Sequence, residues 1–219
     1  DYIYILSNNC LSVYDRVSNT RVSLIRTPEI QLLFNCIAVS KSHIYIGTND
    51  GVYGITKNCL FKDSPEDYFN LKFSYTYLGG RNVKYLSHNI INNLDCLAVS
   101  HDGGLTFITN DGQYVSYLSI NTSTPGDLVI TDKGQIYYGN SSNGLYFINS
   151  PNNSGSINLS IPFQDYLYSS LPSNIIKDIV VSENSISDSK NTVFVATSSG
   201  VSIITEDIQL NSLSTVRNL

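Results

Sequence analysis

The stretch His43–Thr56, HIYIGT-ND-GVYGIT, decides the fold. Apolar and polar residues alternate through HIYIGT, which is the period of a strand and not of a helix. Asn49-Asp50-Gly51 then supplies the positive φ that a tight hairpin demands, and GVYGIT resumes the β-rich pattern. Asp50, and Asp111 in the matching turn, read as turn residues and not as metal ligands. Ahead of the hairpin stands a short apolar run closed by a small polar residue, Ile37-Ala38-Val39-Ser40. The whole unit reads as three antiparallel strands.

The unit recurs along the chain. A second copy is LAVS (97–100), LTFIT (105–109), ND and GQYVSYL (112–118). A third is LVIT (128–131), QIYYGN (135–140) and GLYFIN (144–149), with Ser-Asn-Gly at its turn. The fourth is IVVS (179–182), TVFVAT (192–197), SS and GVSIIT (200–205). A partial copy, YIYILS (2–7), NN and CLSVYD (10–15), opens the chain. Stretches between copies, such as LKFSYTYL (71–78) and INLSIPF (157–163), can supply fourth, outer strands. The uneven spacing of the copies implies loops of different length.

A sheet of this size cannot bury both faces by itself, so several must stack around an axis. The expected fold is all-β, a β-propeller of five four-stranded blades in a single domain, 1–219. Blade cores fall near 2–15, 37–56, 97–118, 128–149 and 179–205. The chain opens on what reads as the second strand of a blade. Ser214-Thr215-Val216-Arg217-Asn218-Leu219 follows an outer-strand candidate, Ile208 to Leu213, and has the character of the missing innermost strand. The expectation is therefore a ring closed by the C-terminal strand, with Leu219 near Tyr2.

SNIIKDIVVS followed by VFVATSSGVSII resembles the propeller repeats of bacterial ligand-binding sensor ectodomains, the two-component regulator type. NIINNLDCLAVS and IYIGTNDGVYGI follow the same pattern, and the blade geometry is similar to that of WD40 repeats. The resemblance implies propeller geometry and a sensor-like role in ligand binding. The chain departs from the pattern in lacking the usual Trp before the Gly-Thr step and in having fewer blades.

Composition bounds the function. Net charge is −5, and the 13 Lys and Arg do not cluster, so a footprint that could neutralise phosphates is missing and nucleic-acid binding is not expected. No apolar run is long enough to span a membrane. The absence of Met points to a fragment, a trimmed domain or a matured chain, and the excess of Asn, Ile and Tyr over Ala and Arg to an AT-rich coding genome. Localisation stays open, with an extracellular or virion surface slightly favoured. Sequons at Asn121, Asn140, Asn152 and Asn158 are no more frequent than chance provides. Cys10, Cys36, Cys59 and Cys96 contain no C-x-x-C pair, so a zinc site has little support, although an even count would allow two disulfides in an oxidising compartment. Cys36 and Cys96 occupy one column of neighbouring blades, whose strands diverge, and are expected to be free thiols.

No nucleophile elbow, phosphate loop, zincin helix or dinucleotide fingerprint is present. His43, His88 and His101 are spaced too far apart for a helical metal pair and are expected at turns or strand edges. The starts of the innermost strands are more informative. Counting back from the closing Ser or Thr aligns Cys36, Cys96, Asp127 and Asp178 in one column, and Asn35, Asp95, Gly126 and Lys177 in the next. Asp95, Asp127 and Asp178 could thus crowd one mouth of a channel, as the carboxylates of propeller glycosidases do, or hold a hard cation. Equally, short polar residues begin strands because they satisfy backbone. The second candidate surface is the insertion 57–93, where KDSPEDYF places Tyr68 and Phe69 beside carboxylates, a composition suited to sugar or protein contacts. The reading is a non-catalytic binding or assembly module without a cofactor or metal, facing a protein or glycan partner. A phage or large-virus structural or attachment protein and a sensor ectodomain both fit. A glycoside hydrolase or metal-dependent hydrolase using Asp95, Asp127 and Asp178 is the alternative.

Overall fold

The computed structural model describes residues 2–26, 32–58, 75–91, 93–109, 114–118, 126–140, 144–148, 171–173, 175–182, 190–207 and 212–218. These residues form strands gathered into five sheets. The chain divides into two compact units, 1–86 and 87–219.

In the first unit, β1 (Tyr2–Ser7), β2 (Cys10–Asp15) and β3 (Thr20–Arg26) form sheet 1 in that order. Sheet 2 follows as β4 (Phe34–Val39), β5 (His43–Thr48), β6 (Gly51–Thr56) and β7 (Tyr75–Tyr77). The deciding hairpin forms as read, with Thr48 opposite Gly51. Thr48 Oγ1 donates to the Gly51 carbonyl at 3.0 Å and accepts from the Asp50 amide at 2.9 Å, so the residue before the turn locks it. Gly51 has φ +98°, and a Cβ there would run into the Tyr77 carbonyl oxygen. Only glycine meets both demands. The core joins Leu11, Val13 and Ile25 of sheet 1 to Phe34, Ile44, Ile46 and Ile55 of sheet 2.

The strand β8 (Val83–Ile91) crosses the boundary between the units. It forms sheet 3 with β9 (Leu94–His101), β10 (Gly104–Thr109) and β11 (Tyr114–Leu118), in the order β11-β10-β9-β8. β8 therefore lies on the far side of the LAVS strand, a place for which the repeat had no counterpart. Sheet 4 is β12 (Leu128–Ile130), β13 (Ile136–Asn140) and β14 (Gly144–Ile148). Sheet 5 is β15 (Ile176–Ser182), β16 (Lys190–Thr197), β17 (Gly200–Asp207) and β18 (Ser212–Asn218). Thr197 repeats the Thr48 device, donating to the Gly200 carbonyl at 2.9 Å and accepting from Ser199. Two cores fill this unit. Phe107 and Leu105 of sheet 3 meet Ile136 and Tyr138 of sheet 4, and Tyr137 and Leu145 of sheet 4 meet Ile179, Val193, Val195 and Ile204 of sheet 5.

Two expectations are corrected. The C-terminal strand does not complete the N-terminal blade, because β18 pairs antiparallel with β17, placing Arg217 opposite Ile203 and Thr215 opposite Thr205. It is the outer strand of its own sheet, shifted from the expected 208–213, while Leu219 lies outside the described residues. Nor are all sheets four-stranded among the described residues, since sheets 1 and 4 have three strands. Among the described residues β1 is an edge of sheet 1, and the outer-strand candidate 157–163 of sheet 4 lies outside the described residues.

Candidate functional site

Asp127 stands immediately before β12, with its carbonyl accepting from the Gly139 amide at 2.9 Å. Its Oδ2 reaches across to sheet 5 and accepts from the Ile179 amide at 2.7 Å. Asp178 Oδ1 accepts from the same N–H at 3.1 Å. Among the described residues β15 is the edge strand of its sheet, and Asp127 supplies the acceptor for the Ile179 amide on that side. The two carboxyl groups thus meet at one backbone N–H. Burial pushes Asp127 up to about 6, and Asp178 adds to the shift through its hydrogen bond and its charge. The amides of Ile179 and Leu128 act in the opposite direction. The structure thus brings two of the three predicted aspartates together.

Asp95, at the start of β9, is buried and pairs with His88 Nε2 on β8 at 2.9 Å. Among the described residues, no three His, Cys, Asp or Glu side chains form a group that could hold a metal ion. Asp95, Asp127 and Asp178 therefore do not assemble as a metal-holding triad. The other histidines occupy strand ends. His101 is fully buried; its Nδ1 accepts from the Gly103 amide at 2.9 Å, so Nε2 carries the proton and donates to Thr106 Oγ1, 2.9 Å away. His43 opens β5, with Nδ1 2.8 Å from Ser42 Oγ and its ring stacked on Tyr45.

The edge strand β12 is served like β15. Ser87 Oγ accepts from the Ile130 amide at 3.1 Å, and Asn89 Nδ2 donates to the Ile130 carbonyl at 3.2 Å. Both side chains come from β8, whose position the repeat did not reveal. In the first unit, Asn35 Nδ2 donates to the Val83 carbonyl at 2.7 Å and to Asn82 Oδ1 at 3.1 Å. Side chains answering the backbone of edge strands recur through the chain, and Asp127 is one of them. Cys10, Cys36 and Cys96 are free thiols, and burial pushes the Cys36 thiol up to about 12 against the pull of the Gly47 amide and Lys84. Tyr68, Phe69, Cys59 and the sequons Asn121, Asn152 and Asn158 lie outside the described residues.

No family model and no curated protein matches the chain. Solved structures do. A chain in the crystal structure of a mitotic checkpoint complex matches with a TM-score of 0.69 at 12% identity, over 100% of this chain and 60% of that one. BBS1N in complex with ARL6DN matches with a TM-score of 0.69 at 14% identity, over 99% and 64%. An auxiliary nutrient binding protein from Bacteroides ovatus matches with a TM-score of 0.64 at 10% identity, over 100% and 54%. The chain thus spans less than two thirds of the length of these three structures. At such identities the likeness concerns the fold alone, and that fold is all-β and propeller-like.

Proposed function

We propose that this chain is a non-catalytic binding and assembly module, its five sheets acting as propeller blades that present loops to a protein partner. The observation that carries the reading is the likeness to propeller-like proteins solved within complexes, the mitotic checkpoint complex and BBS1N with ARL6DN. The aspartate geometry supports it. Asp178 Oδ1 is engaged by the Ile179 backbone N–H. Asp127 is also occupied by the Ile179 amide, a bond that holds an edge strand. The contact surface is assigned to the loops between sheets and to the stretch 57–93 with Tyr68 and Phe69. A phage or viral surface protein and a sensor ectodomain are the settings that fit the sequence.

One specific observation favours a second reading, hydrolysis of a glycan. Asp127, pushed up to about 6 mainly by burial, has the raised proton affinity that a general acid needs. Single D95N, D127N and D178N chains, assayed on a panel of polysaccharides and on divalent-cation binding, separate the two. The binding module predicts no turnover by the parent chain and no bound cation. Turnover or cation binding abolished by one Asn replacement in a folded chain establishes the enzyme instead. Binding measured on a glycan array and by crosslinking to candidate proteins should fall with Y68A or F69A, and an unchanged signal would remove that stretch from the contact surface.

A further inference from the structure

His101 closes β9, and its ring is spent on the turn that follows. β9 and β10 pair with His101 opposite Gly104, so Asp102 and Gly103 form a two-residue turn. His101 and Thr106 are each 1% exposed. The Gly103 amide donates to His101 Nδ1 at 2.9 Å, and Nε2 lies 2.9 Å from Thr106 Oγ1. A backbone N–H can only donate, so Nδ1 carries a lone pair and the ring is neutral, with its proton on Nε2. An imidazolium cannot take this place. With a proton on both nitrogens, one N–H would face another at Gly103.

The groups around β9 decide where a charged ring would turn. β9 lies between β8 and β10 and packs on β12. Neither β10 nor β12 carries an ionisable side chain. β8 carries Lys84, Tyr85 and His88, and His88 pairs with Asp95 at the far end of β9. Asp127, just ahead of β12, is directed to Ile179 of sheet 5. The acid within reach of His101 is Asp102, whose Oδ1 stands 3.8 Å from Nδ1 and whose side chain is 48% exposed. At 3.8 Å the two are short of a hydrogen bond, and a small rotation of either side chain closes the gap.

We propose that His101 is an acid-released latch on the β9–β10 turn. The neutral ring holds the Gly103 amide. On taking a proton from solvent at Nδ1, the ring gives up that amide and swings to the Asp102 carboxylate, which frees the turn. The turn is thus held at neutral pH and released in acid. Asp127 runs the other way, because burial raises its proton affinity, so the pH profile of overall stability mixes the two and a local reading is needed. Ser100 supplies the control. Its side chain lies on the opposite face of β9, and its Oγ accepts from the Gly126 amide at 3.1 Å, a bond with no titrating partner.

NMR of the full chain, whose histidines are His43, His88 and His101, reads the ring and the amides together. At about pH 7.5, His101 should show the Nε2–H tautomer, with the Gly103 amide protected from exchange. At about pH 5 the ring should be charged, and Gly103 should exchange about tenfold faster after correction for the intrinsic rate, as loss of one hydrogen bond implies. Gly126 should keep its protection. H101Q, whose amide can accept from Gly103 and donate to Thr106 without a charge, should keep Gly103 protected at both pH values. D102N removes the acid that receives the ring and should move the release to lower pH. Four outcomes overturn the proposal: a His101 proton on Nδ1 at neutral pH, Gly103 protection unchanged in acid, joint loss at Gly103 and Gly126, which is general unfolding, or an unshifted D102N profile. The first three are read on the parent chain and stand whether or not the variants fold.

Discussion

Asp127 links the fold to pH, and the direction of its shift sets the sign. Its folded pKa lies near 6, above the ordinary 3.8, so the folded chain holds the proton more tightly than the unfolded one. The stability it contributes is complete below about pH 3.8 and is lost as the pH rises through about 6. D127N should flatten this part of the stability profile, because the amide accepts from Ile179 and donates to Asp178 without a charge to bury. At pH 7 it should be at least as stable as the parent in urea, and a clear loss there would show that the ionised carboxylate is the favoured form. D127A instead leaves the buried amide of Ile179 to Asp178 alone and should cost about 1–3 kcal/mol. Cys36 makes a second residue-scale test: a thiol held near 12 reacts slowly while folded. After denaturation without reductant, Cys36 and Cys96 should both titrate as free thiols, and a bridge between them would undo the shared column. The sequence singled out Asp127 and Asp178 as strand-start residues, and both meet the Ile179 amide. What it could not show is the bond each acid makes, since a backbone amide on another sheet leaves no mark in the spacing of residues.

At the scale of the element, the hairpins were readable because their chemistry is local. A Thr or Ser, two turn residues and a Gly or Cys carry the whole device, as at Thr48–Gly51 and Thr197–Gly200. T197A should cost about 0.5–1.5 kcal/mol, the net worth of a hydrogen bond, read from the urea midpoint at constant slope. Gly47 and Gly139 serve a different need, which is room. A Cβ on Gly47 would strike Cys36 Sγ and Val83, and one on Gly139 would strike Ile176. G47A and G139A should each destabilise by about 1–3 kcal/mol through overpacking, and a neutral result for both would mean that the neighbours retreat freely. Non-local pairing was not readable. The C-terminal strand had the same composition whether it joined β1 or β17, and the sequence held no register signal to choose. Adjacency along the chain decided it, as β18 follows β17 directly and pays a short loop closure instead of a long one. β8 was hidden for a related reason: its burial is mixed, with Ser87, His88 and Asn89 spent on side-chain bonds, so it lacks the clean alternation that marks the other strands.

For the whole molecule, the position of β8 decides how the chain should unfold. The boundary between the compact units falls at Leu86 and Ser87, in the middle of this continuous strand. Val83, before the boundary, is fully buried and receives the Asn35 bond at its carbonyl. Ser87 and Asn89, after it, hold both backbone groups of Ile130, and the strand pairs with β9 in sheet 3. Melting either unit therefore frees half of a strand that the other half keeps ordered, and the exposed half would lose its bonds without gaining the full entropy of a released loop. The chain should unfold in a single transition, with calorimetric and van't Hoff enthalpies in agreement. A fragment ending at Leu86 cuts the strand and should be much less structured than one ending at Ile91, judged by amide exchange of the β5 and β6 backbone. Two separated transitions in the intact chain, or equal protection in the two fragments, would show that the units stand independently and that β8 joins them only as a tether.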